Sequence, residues 1–455
     1  MKIVILLPTI EPPLEIQESQ IANPRDPSIL LFFTLAILPQ CFDFRTETGG
    51  GNAIQLLILS SHMFLFLSFI FVYGISLGRS ATPTICATIA FILVGTATGL
   101  FYDQEFTTLI TIAIPTMLFL TGFILTYSAL RMIDDIRSLY NRLVFLCLVT
   151  MVSFASIEIA SQGLDLSRSR YEILGGAITE SISLLFVGLF FGFNLAEAIT
   201  TILALSLTFM SVTRVYLLQM AFQIASCILV YPRMLLRKSV IIGTIMLSLL
   251  SISAFVVNNM MALGVLERWT QRLFVSERSQ GGLDVTSLTR IAEVNAMRDA
   301  TFKSDETMLF GNGFAAITQM TGVEAGEVTV LIGEENGELH SVGFGHHNFW
   351  SMLFIAGLLG GGPLVLILFI SAIRALFLVY RVLWMGETDA PARVAVWGAF
   401  SIIGLTIYGL YAGPMGNRGS ALWYGISLAM LYWGCDLFQP VRRDQLRTRL
   451  GTNIQ

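Results

Sequence analysis

The sequence predicts an all-α integral membrane protein of about twelve transmembrane helices, since a bilayer core needs about 20 apolar residues per helix. Three observations predict it. Hydrophobic residues make up 55% of the 455-residue chain and charged residues only 13%, whereas a soluble protein needs about a quarter of its residues charged to cover its surface. Apolar runs of spanning length recur along the chain, and Lys and Arg gather in alternate connections. These facts exclude a soluble enzyme, a disordered protein and a disulfide-rich scaffold. A net charge of −4 with no basic domain gives nucleic-acid binding no support. Cys41, Cys86, Cys147, Cys227 and Cys435 lie far apart without a C-x-x-C pair. They read as small lipid-compatible residues rather than disulfides or metal ligands.

The elements follow in order. Residues 1–27 carry Pro8, Pro12, Pro13 and three glutamates, so they read as a cytoplasmic lead-in and not as a cleavable signal peptide. Nine spans are expected within 28–256: 28–42, 54–77, 82–101, 106–130, 142–157, 174–192, 196–212, 215–231 and 239–257. Pro39 and Cys41 end the first, which is short. The Asn194–Glu197 corner parts the sixth from the seventh, and Arg214 parts the seventh from the eighth. Residues 257–347 form one large loop, long enough to hold helices of its own. Three further spans, 348–371, 395–412 and 419–435, fill 348–435, and 436–455 form a tail.

Sidedness follows from the bases. Arg79, then Arg131, Arg137 and Arg142, then Arg233, Arg237 and Lys238, then Arg374, Arg381 and Arg393, then Arg442, Arg443, Arg447 and Arg449 all fall on one side with both termini. That side is expected to be cytoplasmic. The Tyr102–Glu105 corner and the large loop fall on the other. Ser287 is expected to cap a loop helix with Ile291, Val294 and Met297 on its apolar stripe, broken at Gly311 and Gly313. No internal repeat is visible, which weakens an inverted-repeat transporter reading.

A short set of polar residues falls on the outward side: Arg168, Arg170, Arg214, Arg290, Arg298, His346, His347 and Asn348. Arg214 interrupts the apolar stretch from Ile199 to Val230. It is either a base snorkelling to the headgroups or a fixed cation for an anionic lipid headgroup. Arginine suits diphosphate because its planar fork makes two parallel charge-assisted hydrogen bonds and never deprotonates. His62 and His340 read as structural or solvated. His346 and His347 stand where the loop re-enters the membrane, but adjacent helical positions point about 100° apart. With no H-x-x-x-H or D-x-D nearby, the pair points to acid–base or hydrogen-bonding work rather than to a metal.

His347-Asn348 followed by Gly357 and Gly360, Ser211-Val-Thr213-Arg214, Arg290 with Gly311-Asn312-Gly313, and Arg170 with Gly175 and Gly176 occur in one order and on one side. In this the chain, over roughly residues 140–435, resembles the O-antigen ligase and O-antigen polymerase superfamily of the bacterial envelope. One departure is Thr179-Glu180-Ser181, where the family often has Asn-Pro-Asn. The resemblance implies a metal-independent, cofactor-free C-type glycosyltransferase of the bacterial inner (cytoplasmic) membrane, with its site facing the periplasm. Its donor would be a glycan on undecaprenyl diphosphate, and its acceptor a second lipid-linked glycan (polymerase) or lipid A-core (ligase).

Carried onto this chain, His347 is expected to assist the acceptor hydroxyl, and Arg214, Arg290 and Arg170 to grip the diphosphate. Arg298, His346, Glu293 and Asn348 form a second tier. A polysaccharide flippase or other carrier without glycosidic chemistry is the alternative. It would place ionisable groups near the bilayer midplane rather than at one boundary.

Overall fold

The computed structural model describes residues 26–43, 52–162, 174–211, 213–232, 285–318, 326 and 345–438. The expected span 239–257 lies outside them. All regular structure among the described residues is helical. Six stretches of them are long and apolar enough to cross a membrane: Ala53–Tyr73, Thr82–Phe101, Phe106–Met132, Ile136–Ile157, Asn348–Met385 and Ala390–Tyr408. Asp26–Phe42, Ile178–Phe191, Leu195–Ser211 and Arg214–Val230 are shorter apolar helices.

The first eight helices among the described residues are α1 (Asp26–Ile37), α2 (Asn52–Tyr73), α3 (Thr82–Phe101), α4 (Phe106–Met132), α5 (Ile136–Gln162), α6 (Ile178–Phe191), α7 (Leu195–Ser211) and α8 (Arg214–Val230). Pro39 lacks the N–H that an α-helix needs, and α1 tightens there into the 3-10 turn Leu38–Phe42. The break expected at Arg214 is present: α7 ends at Ser211, and the extended Thr213 starts α8.

The large loop contributes α9 (Val285–Thr301) and the six-residue α10 (Asp305–Phe310). Three expectations are corrected here. Ser287 lies inside α9 rather than capping it. The buried stripe runs through Leu288, Ala292, Ala296 and Met297, while Ile291 is exposed. Glu293 is the reason: this carboxylate is buried and partnered, so the hydrophobic pattern alone put the inward face about one residue off. The helix also stops at Thr301, well before Gly311. A capping box between Ser304 and Thr307 starts α10, which Gly311 ends at φ +80°.

The late span is corrected as well. A straight helix over the 38-residue segment Asn348–Met385 would run about 57 Å, nearly twice a hydrocarbon core. The chain breaks it. Helix α11 (Asn348–Ala356) ends at Gly357, a wide turn covers Gly357–Gly361, and α12 (Gly362–Met385) has 24 residues, enough to cross alone. Arg374 and Arg381 therefore sit within α12 rather than in a connection. Helices α13 (Ala390–Tyr408) and α14 (Arg418–Leu437) complete the bundle.

Small residues set the core. A Cβ on Gly425 of α14 would lie 2.1 Å from the Phe119 carbonyl oxygen of α4, and one on Gly122 would lie 2.7 Å from that of Leu422. The two backbones thus meet almost directly, the usual way membrane helices pack without a hydrophobic drive between them.

The connections collect at two ends. At one, Arg393 binds Glu197 at 2.8 Å while Tyr140 and Asn194 also donate to that buried carboxylate. Ser80 and Tyr127 donate to Asp436, Arg131 stacks on Tyr127, and Arg381 donates to the Phe438 carbonyl. This is the basic end. At the other, Gln104 binds the backbone of Asn312 and Ala315, Arg418 pairs with Asp43 at 3.7 Å, and Tyr216 stacks on Tyr408 at 5.1 Å.

Candidate functional site

The site lies at this second end, where the loop helices meet the start of α11. Helix α9 lays Met297 and Glu293 against residues 345–351. The backbone N–H of His346 donates to Oε1 of Glu293 at 2.9 Å, and Nδ1 of its ring contacts Oε2 at 3.0 Å. Glu293 is 2% exposed and His346 49%. The carboxylate is thus anchored from the protein side, and the imidazole above it reaches outward. Gly345 makes this approach possible, since a Cβ there would fall 2.0 Å from Oε1 of Glu293. Ser351, one turn into α11, accepts from the Gly345 N–H and donates to the carbonyl of His347.

His347 caps α11: the Trp350 N–H donates to its Nδ1 at 3.3 Å. Burial pulls its pKa below the ordinary histidine value, against the opposing pull of its own backbone and the Glu293 charge. Asn348 is fully buried. Its N–H donates to Gly409 O at 2.9 Å, and its Oδ1 accepts from Met415 N–H at 3.1 Å. Those bonds pin the start of α11 to the corner between α13 and α14.

The far end of α11 is pinned by the Gly311-Asn312-Gly313 turn. The N–H groups of Asn312 and Gly313 donate to the carbonyls of Phe354 and Ile355. Gly311 and Gly357 face each other, both at positive φ. A Cβ on the first would lie 2.4 Å from Ile355 O, and on the second 2.4 Å from Leu309 O. Only glycine permits this contact.

The structure therefore brings Glu293, His346, His347 and Asn348 together. Arg290, half-buried, stands one turn before Glu293 on α9. Arg214 opens α8 at the same end, two residues before Tyr216. The Tyr216 ring stacks on Tyr408, whose neighbour Gly409 accepts from Asn348. Arg298 is not part of the cluster: it is exposed and pairs with the adjacent Asp299. Arg170 lies outside the described residues. No group of three or more His, Cys, Asp or Glu that could hold a metal ion occurs among the described residues.

Sequence reasoning missed Gly345, Ser351 and the Gly409–Met415 corner. Ser351 was within reach, four residues after His347 and so above it on a helix. The corner carries no signal, because it contributes backbone groups alone. No family model matches the chain, and no curated protein matches it.

Proposed function

We propose that the protein is a membrane glycosyltransferase of the O-antigen polymerase and ligase type. It would transfer a glycan from undecaprenyl diphosphate to an acceptor hydroxyl at the periplasmic face of a bacterial inner membrane. It would cross that membrane about twelve times, as the apolar runs suggest. The observation that carries this reading is the convergence of Glu293, His346 and His347 at the end of the bundle where Arg214 opens α8. Charged groups near a bilayer are costly to place and usually serve a task. Here Glu293, His346, His347 and Arg214 gather at one end of the bundle, which suits surface chemistry on a lipid headgroup.

The chemistry fits the groups. Breaking the sugar–phosphate bond leaves negative charge on the diphosphate, which guanidinium groups stabilise as it develops. Arg214 and Arg290 are the candidates, with Arg170 in support. An imidazole takes the proton that the acceptor hydroxyl gives up.

The test is purified protein supplied with undecaprenyl-diphosphate oligosaccharide. Undecaprenyl diphosphate should appear in step with glycan transfer, and Arg214→Ala should slow it by about 100-fold. Full activity in both Arg214→Ala and Arg290→Ala, or glycan crossing a proteoliposome membrane with no bond formed, would overturn the reading.

A further inference from the structure

The two neighbouring histidines are held by partners of opposite kind. A backbone N–H only donates, so Trp350 fixes Nδ1 of His347 as an acceptor. A neutral ring in that state carries its proton on Nε2, and Nε2–H is a donor. An ionised carboxylate only accepts, so Oε2 of Glu293 fixes Nδ1 of His346 as a donor. That ring carries its lone pair on Nε2. We infer that His346 and His347 are locked in opposite tautomers, and that His346, oriented by Glu293, is the general base while His347 is a hydrogen-bond donor.

The role of base thereby moves from His347 to its neighbour. Three features of the fold support the division. His347 is committed to capping α11, and protonating its Nδ1 would cost that cap. His346 is about half exposed, whereas Glu293 beneath it is almost fully buried. The anchor is thus shielded and the base can reach a substrate. Glu293 also receives the His346 backbone N–H, so ring and backbone are fixed by the same carboxylate.

The catalytic part of the inference rests on the proposed glycan transfer. There, the acceptor oxygen forms a bond to the anomeric carbon as the bond from that carbon to the diphosphate oxygen breaks. The electron pair leaves with the diphosphate, and the hydroxyl proton moves to Nε2 of His346. The resulting imidazolium lies against the Glu293 carboxylate and returns its proton to solvent after the product leaves. Glu293 touches no substrate in this scheme; it is a positioning residue.

Two experiments separate the parts. The chain has four histidines, so 15N-histidine spectra of the full-length protein in lipid nanodiscs can be assigned with His346→Gln and His347→Asn. His346 should show a protonated Nδ1 and an unprotonated Nε2, and His347 the reverse. The same tautomer in both rings, or the two exchanged, overturns the inference whether or not the protein transfers glycans. Glu293→Gln puts an amide N–H against Nδ1, so the His346 ring should switch tautomer; a ring that keeps its proton on Nδ1 counts against the positioning role.

In the transfer assay His346→Gln should lower turnover by at least about 100-fold with binding of the lipid-linked donor unchanged. His347→Asn, which still caps the helix, should lower it by only about tenfold, the worth of one hydrogen bond. A larger loss at His347 than at His346 overturns the assignment. If no variant or parent protein transfers glycan while the tautomers are as stated, the reading of the reaction fails and that of the two rings stands.

Discussion

At the scale of single residues, Asn348 and Arg214 make different kinds of contribution. Asn348 is fully buried and accepts the Met415 N–H through its side chain. Replacing it with alanine leaves that buried donor without its partner, at a cost of about 1–3 kcal/mol. Thermal unfolding in detergent should show Asn348→Ala less stable, and transfer should fall with it because the start of α11 loses its tie to the α13–α14 corner. On the proposed reaction Arg214 would act through its shape. Arg214→Lys keeps the charge but offers a point donor where the guanidinium offers a fork, so it should bind a diphosphate lipid more weakly than the parent protein. Titration with undecaprenyl diphosphate measures this, and equal affinity would mean that charge alone matters at that position.

At the scale of elements, the decisive object is α11, nine residues held at both ends and carrying the histidines at its start. The contact between Gly311 and Gly357 places it. Gly311→Ala must fit a Cβ 2.4 Å from the Ile355 carbonyl oxygen at a φ of +80°. Strain of that kind costs about 1–3 kcal/mol. The variant should unfold at lower temperature and lose transfer activity although the glycine touches neither histidine. An unchanged melting temperature and activity would remove the clasp as the device that positions α11. This arrangement was half legible. Gly311 and Gly313 stand out in the sequence as breaks and Gly357 and Gly360 as points of close helix packing, but a glycine announces only that a backbone comes close, not which one. The same limit explains α9: period-3.6 reasoning found the helix and missed its face, because the buried Glu293 reads as polar until its partners at residue 346 are known.

At the scale of the whole molecule, the alternation of basic and base-poor connections is the strongest message in the chain, since each crossing must reverse direction. It placed Arg131, Arg381 and Arg393 together, and the fold gathers them at one end. The distribution of apolar residues was less informative about length: twelve runs suggest twelve spans, yet the Gly357 break shows that one run can hold a short helix and a span together. Charge patterning also predicts absolute direction, with the basic end inward, and on that direction the proposed chemistry depends.

Accessibility from each side of the membrane tests direction. After replacement of the native cysteines, single cysteines at Thr107 and Lys303 lie at the end that holds His346, and one at Thr388 lies at the basic end; all three positions are exposed. A membrane-impermeant maleimide added to spheroplasts should label Thr107→Cys and Lys303→Cys, and should label Thr388→Cys only after permeabilisation. Labelling of Thr388→Cys alone would put the histidines in the cytoplasm, where a donor already carried across the membrane could not reach them.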